Sequence, residues 1–369
     1  MAVPFFDLKR QIAAIKPDIE KAVSETIDSA AFILGPKVAE LEKFAAAYLG
    51  VKHAIGVASG TDALLLAIKA AGIGEGDEVI TTPFTFVATA EAIAYHGAHP
   101  VFVDITTNTF NIDPSLVEKA VTKKTKAILP VHLYGRPADM DDIMPIAKKH
   151  GLKVIEDCAQ SIGSKYGGSF SGSIGDAGCF SFFPTKNLGC FGDGGLVATS
   201  SDELADAVRV LRGHGSRTTY HYDVIGYNSR LDSIQAAILL VRFKHLRSWE
   251  EGRRSHAALY RELLAGLDEV VLPEEPSGSR HVYNQFVVMA KDRDLLFGHL
   301  KERQIGCMVY YPLCLHLQTA FGYLGYKKGD LPVSEKAQDS VLALPIFPEL
   351  KESEIREVCS AIREFYGKS

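Results

Sequence analysis

The residues of this chain best placed to do chemistry begin with Lys186, the only lysine in residues 181–195, SFFPTKNLGCFGDGG. An apolar run, residues 179–183, stops at Pro184, and the loop beyond Lys186 turns glycine-rich. Aromatic, small and apolar neighbours lower an amine's pKa and suit it to Schiff-base chemistry, unlike a surface lysine set among charges. On this segment alone, a loop lysine after an interior strand explains the same pattern. A second stretch, KVIEDCAQS at residues 153–161, is a short apolar strand ending in Glu156 and Asp157. Carboxylates at the carboxyl end of a buried parallel strand face ligand crevices. A third, AIGVASGTDALLLAIKAAG at residues 54–72, reads as a strand, a small-residue turn at Ser59, Gly60 and Thr61, and a helix. The free amides of such a helix start form a phosphate site.

A phosphate cradle, a strand-end Asp and a loop Lys are together what pyridoxal 5′-phosphate requires. Its aldehyde takes the amine, its phosphate the helix start, and its pyridine nitrogen an acidic partner that keeps the ring an electron sink. In order along the chain stand SGTDAL, PFTFVATAEAI, VHLYGRPADMD, VIEDCAQSIGS, FSFFPTKNLGCFGDGG and GYNSRLDSIQAAIL. This series resembles the sugar aminotransferases of the DegT/DnrJ/EryC1/StrS family, within the aspartate aminotransferase fold, and the likeness runs from PFFDLKRQ near the start to LPIFPEL near the end.

The resemblance implies roles. Lys186 would hold the cofactor aldehyde and, once released, carry the proton between substrate and cofactor. Asp157 would pair with the pyridine nitrogen, Gln160 would lie near the ring's oxygen substituent, and Phe86 would stack on the ring face. Gly60, Thr61 and Ser181 would hold the phosphate. Asn228 would reach the phosphate from the neighbouring subunit, making the active unit a homodimer with shared sites. Arg230, Tyr310, Tyr311 and His316 would meet the substrate, the last three within CMVYYPLCLHLQTAF. Many members read His-Tyr-Pro where this chain has Tyr310, Tyr311 and Pro312. Plainer readings exist for several of these: Gln160 as a helix residue, Phe86 as core packing, Asn228 as a helix cap, His316 as a surface histidine.

The substrate implied is a nucleotide-linked keto sugar with L-glutamate as amino donor. The pattern most resembles members acting on UDP-linked 3-oxo sugars of the N-acetylglucosamine or N-acetylglucosaminuronic acid type. Alternatives are a C-4 or dTDP-keto-sugar aminotransferase, a same-fold sugar dehydratase, which would carry histidine in place of Lys186, and a non-catalytic regulator that keeps the fold.

The elements that must position these residues are legible in outline. With 369 residues, 47% of them hydrophobic and 23% charged, the chain can bury a large core and a smaller annex. The net charge of −5, with no basic stripe, excludes a general nucleic-acid binder. No spanning apolar run or signal-like start appears, which gives the expectation of a cytoplasmic protein away from membranes. Six cysteines without a CxxC pair indicate neither a zinc site nor a disulfide framework, and no metal is expected. Strand candidates HAIGVAS, DEVITT, HPVFVDI, KAILPVHL, KVIEDC, CFSFF and GLVATS alternate with helical segments. The fold class is therefore α/β: a three-layer αβα large domain with a mostly parallel sheet, plus a smaller C-terminal α+β domain. Residues 1–245 are assigned to an N-terminal arm and the large domain, and residues 246–369 to the small one. Helical spacing predicts two N-terminal helices, at residues 7–29 and 36–49, and one long bridging helix over residues 229–263. His132 and Cys158 do not make a nucleophilic pair, because no oxyanion site accompanies them.

Overall fold

A computed structural model describes residues 2–276 and 278–368. Both N-terminal helices form: α1 (Leu8–Ser29), whose first amides are capped by the Asp7 carboxylate, and α2 (Pro36–Leu49), entered through a proline and left through Gly50 in the left-handed region. Next come β1 (His53–Val57), β2 (Glu78–Thr81), β3 (His99–Phe102), β4 (Thr125–Ile128) and β5 (Lys153–Asp157). A small hairpin, β6 (Lys165–Tyr166) and β7 (Ser169–Phe170), precedes β8 (Ala177–Ser181) and β9 (Gly195–Thr199). Seven of these form one sheet in the order β1-β9-β8-β5-β4-β2-β3, and they are the seven strands the apolar runs predict. Pairing is parallel from β8 through to β3, while β9 runs antiparallel to both neighbours.

Helices cover both faces, which is why the strands read as continuous apolar runs rather than as alternating ones. On one face Ile55, Val57, Ile155, Cys179 and Val197 pack against α3 (Gly60–Ala70) and α4 (Ala88–Ala94). On the other, after α5 (Pro114–Val117), Ile80, Ile128 and Val154 meet α6 (Met140–His150). Following α7 (Asp202–Arg212), which joins the first face, α8 (Ser233–Phe243) packs with α2 on Ala54, Phe180, Leu196 and Ala198.

The predicted single helix over residues 229–263 is instead two, α8 and α9 (Leu246–Leu263), separated by a turn at Lys244 and His245. The Asp232 carboxylate accepts the Gln235 amide at 2.8 Å and so starts α8 later than expected. Neither Gly nor Pro marks the break. Its cause is tertiary: α8 lies in the sheet's helix layer, while α9 turns its buried face, Ala257 and Tyr260, into a separate core. The buried Arg242 guanidinium braces the turn, 5.1 Å from the Trp249 ring and donating to Gln11 Oε1 at 2.6 Å. We propose that the small domain begins at this turn.

That second core surrounds a small antiparallel sheet. Beyond the hairpin β10 (Ser216–Thr218) and β11 (His221–Tyr222), β12 (Val270–Val271) pairs with β14 (Phe286–Ala290), which pairs with β15 (Val341–Leu344). In between, β13 (Ser279–Arg280) crosses to pair with β6. α9, α10 (Arg293–Glu302) and α12 (Glu352–Phe365) pack on that core, and α11 (Pro332–Ser340) leads into β15. Val3 from the N-terminal arm is buried in the same core. Among the described residues, no helix is long and apolar enough to cross a membrane.

The two acids that end β5 show how the strand period assigns roles. Glu156 points to the side of Val154. It is fully buried and accepts the amides of Gly172, Ile174 and Gly175 at 2.8, 2.9 and 2.7 Å. His132 completes its shell: Nδ1 accepts the Ala138 amide, so the ring proton lies on Nε2, which donates to Glu156 Oε2 at 2.8 Å. Glu156→Ala leaves these donors without an acceptor, at a cost of about 3 kcal/mol. A thermal melt should show the midpoint lowered by several degrees, and an unchanged midpoint would remove Glu156 from its place as the hub of the 172–175 loop.

Candidate active site

Asp157, on the opposite side of β5 from Glu156, opens into a cleft of about 640 Å³ at the carboxyl end of the parallel strands. The residue is 5% exposed. Its Oδ2 accepts the Thr89 hydroxyl at 2.8 Å and its Oδ1 the Ala159 amide at 3.1 Å. Thr89, in the first turn of α4, has its hydroxyl 2.9 Å from that of Thr85, which lies in the bend before the helix. Burial raises the Asp157 pKa above the ordinary carboxylate value, opposed by those two donors and by the nearby Lys186 ammonium.

Lys186 follows β8 on a loop held by its own backbone, with the Lys186 amide donating to Phe183 O at 2.9 Å. Its amine lies in the cleft, where burial lowers its pKa to about 8 although the Asp157 charge pulls it upward.

The third wall is the start of α3. Ser59 caps the helix by accepting the Asp62 amide at 3.0 Å, leaving the amides of Gly60 and Thr61 turned to the cleft. This helix start is pressed onto the lysine strand. A Cβ on Gly60 would lie 2.5 Å from Ser181 Cβ, and one on Gly195 would lie 2.1 Å from Ser59 O, so only glycine fits at either position.

Gln160 is pinned from two directions. Its Oε1 accepts the Tyr134 amide at 2.6 Å, which turns Nε2 toward the cleft, where it donates to the Tyr311 hydroxyl at 3.2 Å. Phe86, 57% exposed despite being apolar, stands across from Tyr311 with ring centroids 6.5 Å apart. Tyr310 and Tyr311 close the cleft from the small-domain side, with burial raising the hydroxyl pKa of both.

The cleft therefore brings together Gly60, Thr61, Phe86, Asp157, Gln160, Ser181, Lys186, Tyr310 and Tyr311. Three other expected residues lie elsewhere. His316 is 2% exposed and directed away from the cleft, its Nε2 3.2 Å from Glu335 Oε1, which also accepts the Gly329 amide. In this chain His316 does not line the cleft, its Nδ1 is buried without a hydrogen-bond partner, and its burial rules out the surface-histidine reading. Asn228 is exposed and Arg230 half-buried, and they bond to each other, Nη2 to Oδ1 at 2.6 Å, without lining the cleft of their own chain.

Some lining residues were not singled out from sequence. Thr89 carried a signal, its i, i+4 spacing from Thr85 in FTFVAT, but no sign of its long-range partner Asp157. Asp193 lies inside the quoted FGDGG motif, and Gln285 enters from the start of β14. His132, Glu156 and Cys158 bring their ligand-type atoms within 4.8 Å of one another. That group is structural: Glu156 is saturated by the donors described above, and burial pushes the Cys158 thiol well above its ordinary pKa.

Known proteins similar to this chain match it along nearly its whole length. The model of the DegT/DnrJ/EryC1/StrS aminotransferase family matches residues 13–363. A "Pleiotropic regulatory protein" of Geobacillus stearothermophilus is 56% identical, over 99% of both chains. A "UDP-N-acetyl-3-dehydro-alpha-D-glucosamine 3-aminotranferase" of Acidithiobacillus ferrooxidans is 49% identical, over 98% of this chain and 97% of its own. Among solved structures, DesV of S. venezuelae superposes with a TM-score of 0.97 at 43% identity, covering 100% of this chain and 99% of that one.

Coupling between the two charged groups of the cleft is measurable. In cofactor-free protein, reductive methylation of Lys186 followed by mass spectrometry should rise with pH through a midpoint near 8. Asp157→Asn removes the charge that favours the ammonium, so its midpoint should fall below that of the parent. A midpoint that stays in place or rises would mean that the two groups do not interact.

Proposed function

The chain belongs to the DegT/DnrJ/EryC1/StrS aminotransferase family, and from that premise we propose that it is a pyridoxal 5′-phosphate-dependent aminotransferase moving an amino group from L-glutamate to a nucleotide-linked keto sugar. The observation that carries the reading is the convergence, in one cleft, of a pKa-lowered lysine, a buried aspartate and the open start of a helix. The substrate class we favour is a UDP-linked 3-oxo-N-acetylhexosamine or its uronic acid, supported by the name of the Acidithiobacillus relative.

The residues fit the cofactor. Gly60 and Thr61 would offer backbone amides, and Ser181 a hydroxyl, to its phosphate, in a cradle that a side chain at Gly60 would fill. Phe86 would cover one face of the ring, and Gln160 Nε2 would donate to its oxygen substituent. Bound there, the cofactor supplies an electron sink for carbanion chemistry beside nitrogen. Thr89 and Ala159 favour the ionised form of Asp157 against its burial, and Asp157 in turn would hold a proton on the ring nitrogen. Lys186 would anchor the aldehyde and then take up and return a proton, for which a pKa of about 8 is suited near neutral pH.

Asn228 and Arg230 face solvent beside a run that includes the exposed Val224 and Ile225. We assign that surface to contact with a second copy, so that Asn228 reaches the partner's phosphate and each site is shared across a two-fold dimer. The name of the Geobacillus relative favours a second reading, a regulator on the same fold. A regulator has no need of turnover.

The two readings separate in one assay. Cofactor-loaded protein mixed with glutamate should lose its visible absorption band, and a UDP-linked 3-oxo sugar generated in place should then gain an amino group detectable by mass. Lys186→Ala should reduce turnover more than about a thousandfold, several kcal/mol in the barrier. An unbleached band with no product would leave the regulatory reading standing. For the shared site, Lys186→Ala and Asn228→Asp chains should each be impaired alone and regain activity when mixed into heterodimers. Verified heterodimers without recovery would place Asn228 within its own chain's function.

A further inference from the structure

A second cavity, about 340 Å³, opens between the β13-β6-β7 sheet and α9. Strand register sets Arg280, Lys165 and Phe170 in one row across that sheet. Opposite them α9 presents Arg247, Glu250 and Glu251, at i, i+3 and i+4 on one helix face. Tyr48 from α2 and the backbone of Gly163 complete the wall.

The charges in this cavity do not balance internally. Arg280 Nη2 serves both carboxylates, 2.9 Å from Glu251 Oε1 and 3.3 Å from Glu250 Oε2. Lys165 Nζ lies 4.2 Å from the centre of the Phe170 ring and Arg247 is exposed; among the described residues neither has a carboxylate within ion-pair distance. Glu250 is 3% exposed and its Oε1 has no hydrogen-bond partner. From these placements we propose that the cavity binds a phosphate monoester, its phosphate held by Lys165, Arg247 and Glu250 and its organic part resting on Tyr48 and Phe170.

The match is one of charge and donors. Three cations, Arg280, Lys165 and Arg247, face two carboxylates, so the cavity has one positive charge in excess and two once Glu250 is protonated, which a phosphate monoester of nearly two negative charges matches and a single carboxylate does not. The Glu250 carboxyl is pushed up to about 7, by burial first and also by the Glu251 charge, against the lowering effect of Arg280 and the Tyr48 hydroxyl. Near neutral pH it takes up a proton readily, and its O–H then becomes a third donor to the phosphate. Of the groups facing it, Glu251 from α9 acts in this sense, while Arg280 from β13 and Tyr48 from α2 oppose it; the cations Lys165 from β6 and Arg247 from α9 line the same cavity. Tyr48 and Phe170, with ring centroids 4.7 Å apart, form an apolar wall beside these donors.

The cavity also touches the segment that floors the main cleft. A Cβ on Gly163 would lie 1.6 Å from Glu250 Oε1, so the carboxyl rests directly on that backbone, shortly after Gln160. A guest at Glu250 thereby bears on the stretch that carries Asp157, Ala159 and Gln160.

The test uses cofactor-loaded protein, in which the main phosphate position is filled, and isothermal titration with inorganic phosphate, glucose 1-phosphate and glucose. The two phosphates should bind once per chain and glucose should not. Lys165→Ala/Arg247→Ala, placed on exposed and half-exposed side chains, should weaken binding about tenfold or more while the cofactor absorption band stays unchanged. Raising the pH from about 6.5 to about 8 completes the ionisation of glucose 1-phosphate in both chains, so the Glu250 proton is read as a difference: binding in the parent should fall about threefold or more relative to Glu250→Gln, whose amide donates at both values. Absence of phosphate binding to the loaded parent overturns the proposal. So does binding that is undiminished in the double variant, which would place the anion elsewhere. If Glu250→Gln does not fold, the double variant decides the matter by itself.

Discussion

A carboxylate withdrawn from water tends to pick up a proton, and Asp157 resists that tendency with two donors and a neighbouring amine. Much of the architecture can be traced from this one balance. The parallel strand β5 delivers the residue to the sheet's carboxyl edge, and the strand period turns it away from Glu156. α4 begins where its Thr89 hydroxyl can meet Oδ2, and the loop after β8 returns Lys186 to the same cleft. The amine in turn is kept low in pKa by the burial that raises the acid. Each group thus favours the charged form of the other against the burial they share.

Buried arginines tie the two cores into one working body. Arg253, on α9, donates to Ile346 O at 2.8 Å and Tyr283 O at 3.3 Å, joining the bridging helix to the ends of the small sheet. Arg242 does the same for α1, α8 and α9 through Gln11 and Trp249. Burial lowers both guanidinium pKa values to about 10, still far enough above neutrality to keep them charged. Tyr134 connects these supports to the cleft, its amide holding Gln160 and its hydroxyl donating to Tyr310 O.

What could be read from sequence follows from where each signal resides. The seven central strands were legible because burial on both faces leaves uninterrupted apolar runs. The two- and three-residue strands β6, β7 and β10 to β13 were not, because no periodicity fits in so few positions. The turn between α8 and α9 was hidden for a different reason: it is set by which core each helix enters, and no Gly or Pro announces it. Within the cleft, Lys186 and Asp157 stand out as charged types in apolar surroundings, whereas Thr89 is one threonine among several until β5 is placed beside α4. His316 was assigned by resemblance, and only the folded chain shows that it is buried with its Nε2 beside Glu335. Asn228 and Arg230 end at the surface of one chain, beyond which a single sequence carries no coordinates.

The two walls of the cleft are built to different tolerances. Gly60 against Ser181 and Gly195 against Ser59 leave no room for even a methyl group between the helix start, the lysine strand and its antiparallel neighbour. That wall is a single casting, in which almost any exchange displaces the rest. Gln285 and the run Val309, Tyr310 and Tyr311 reach the same cleft from two small-domain segments, both tied to Tyr134 by single hydrogen bonds. Diversification of what the cleft accepts is thereby channelled to one side. For an engineer or for natural drift, the reachable new specificities lie in loop exchanges within the small domain, made while the opposite wall is inherited unaltered.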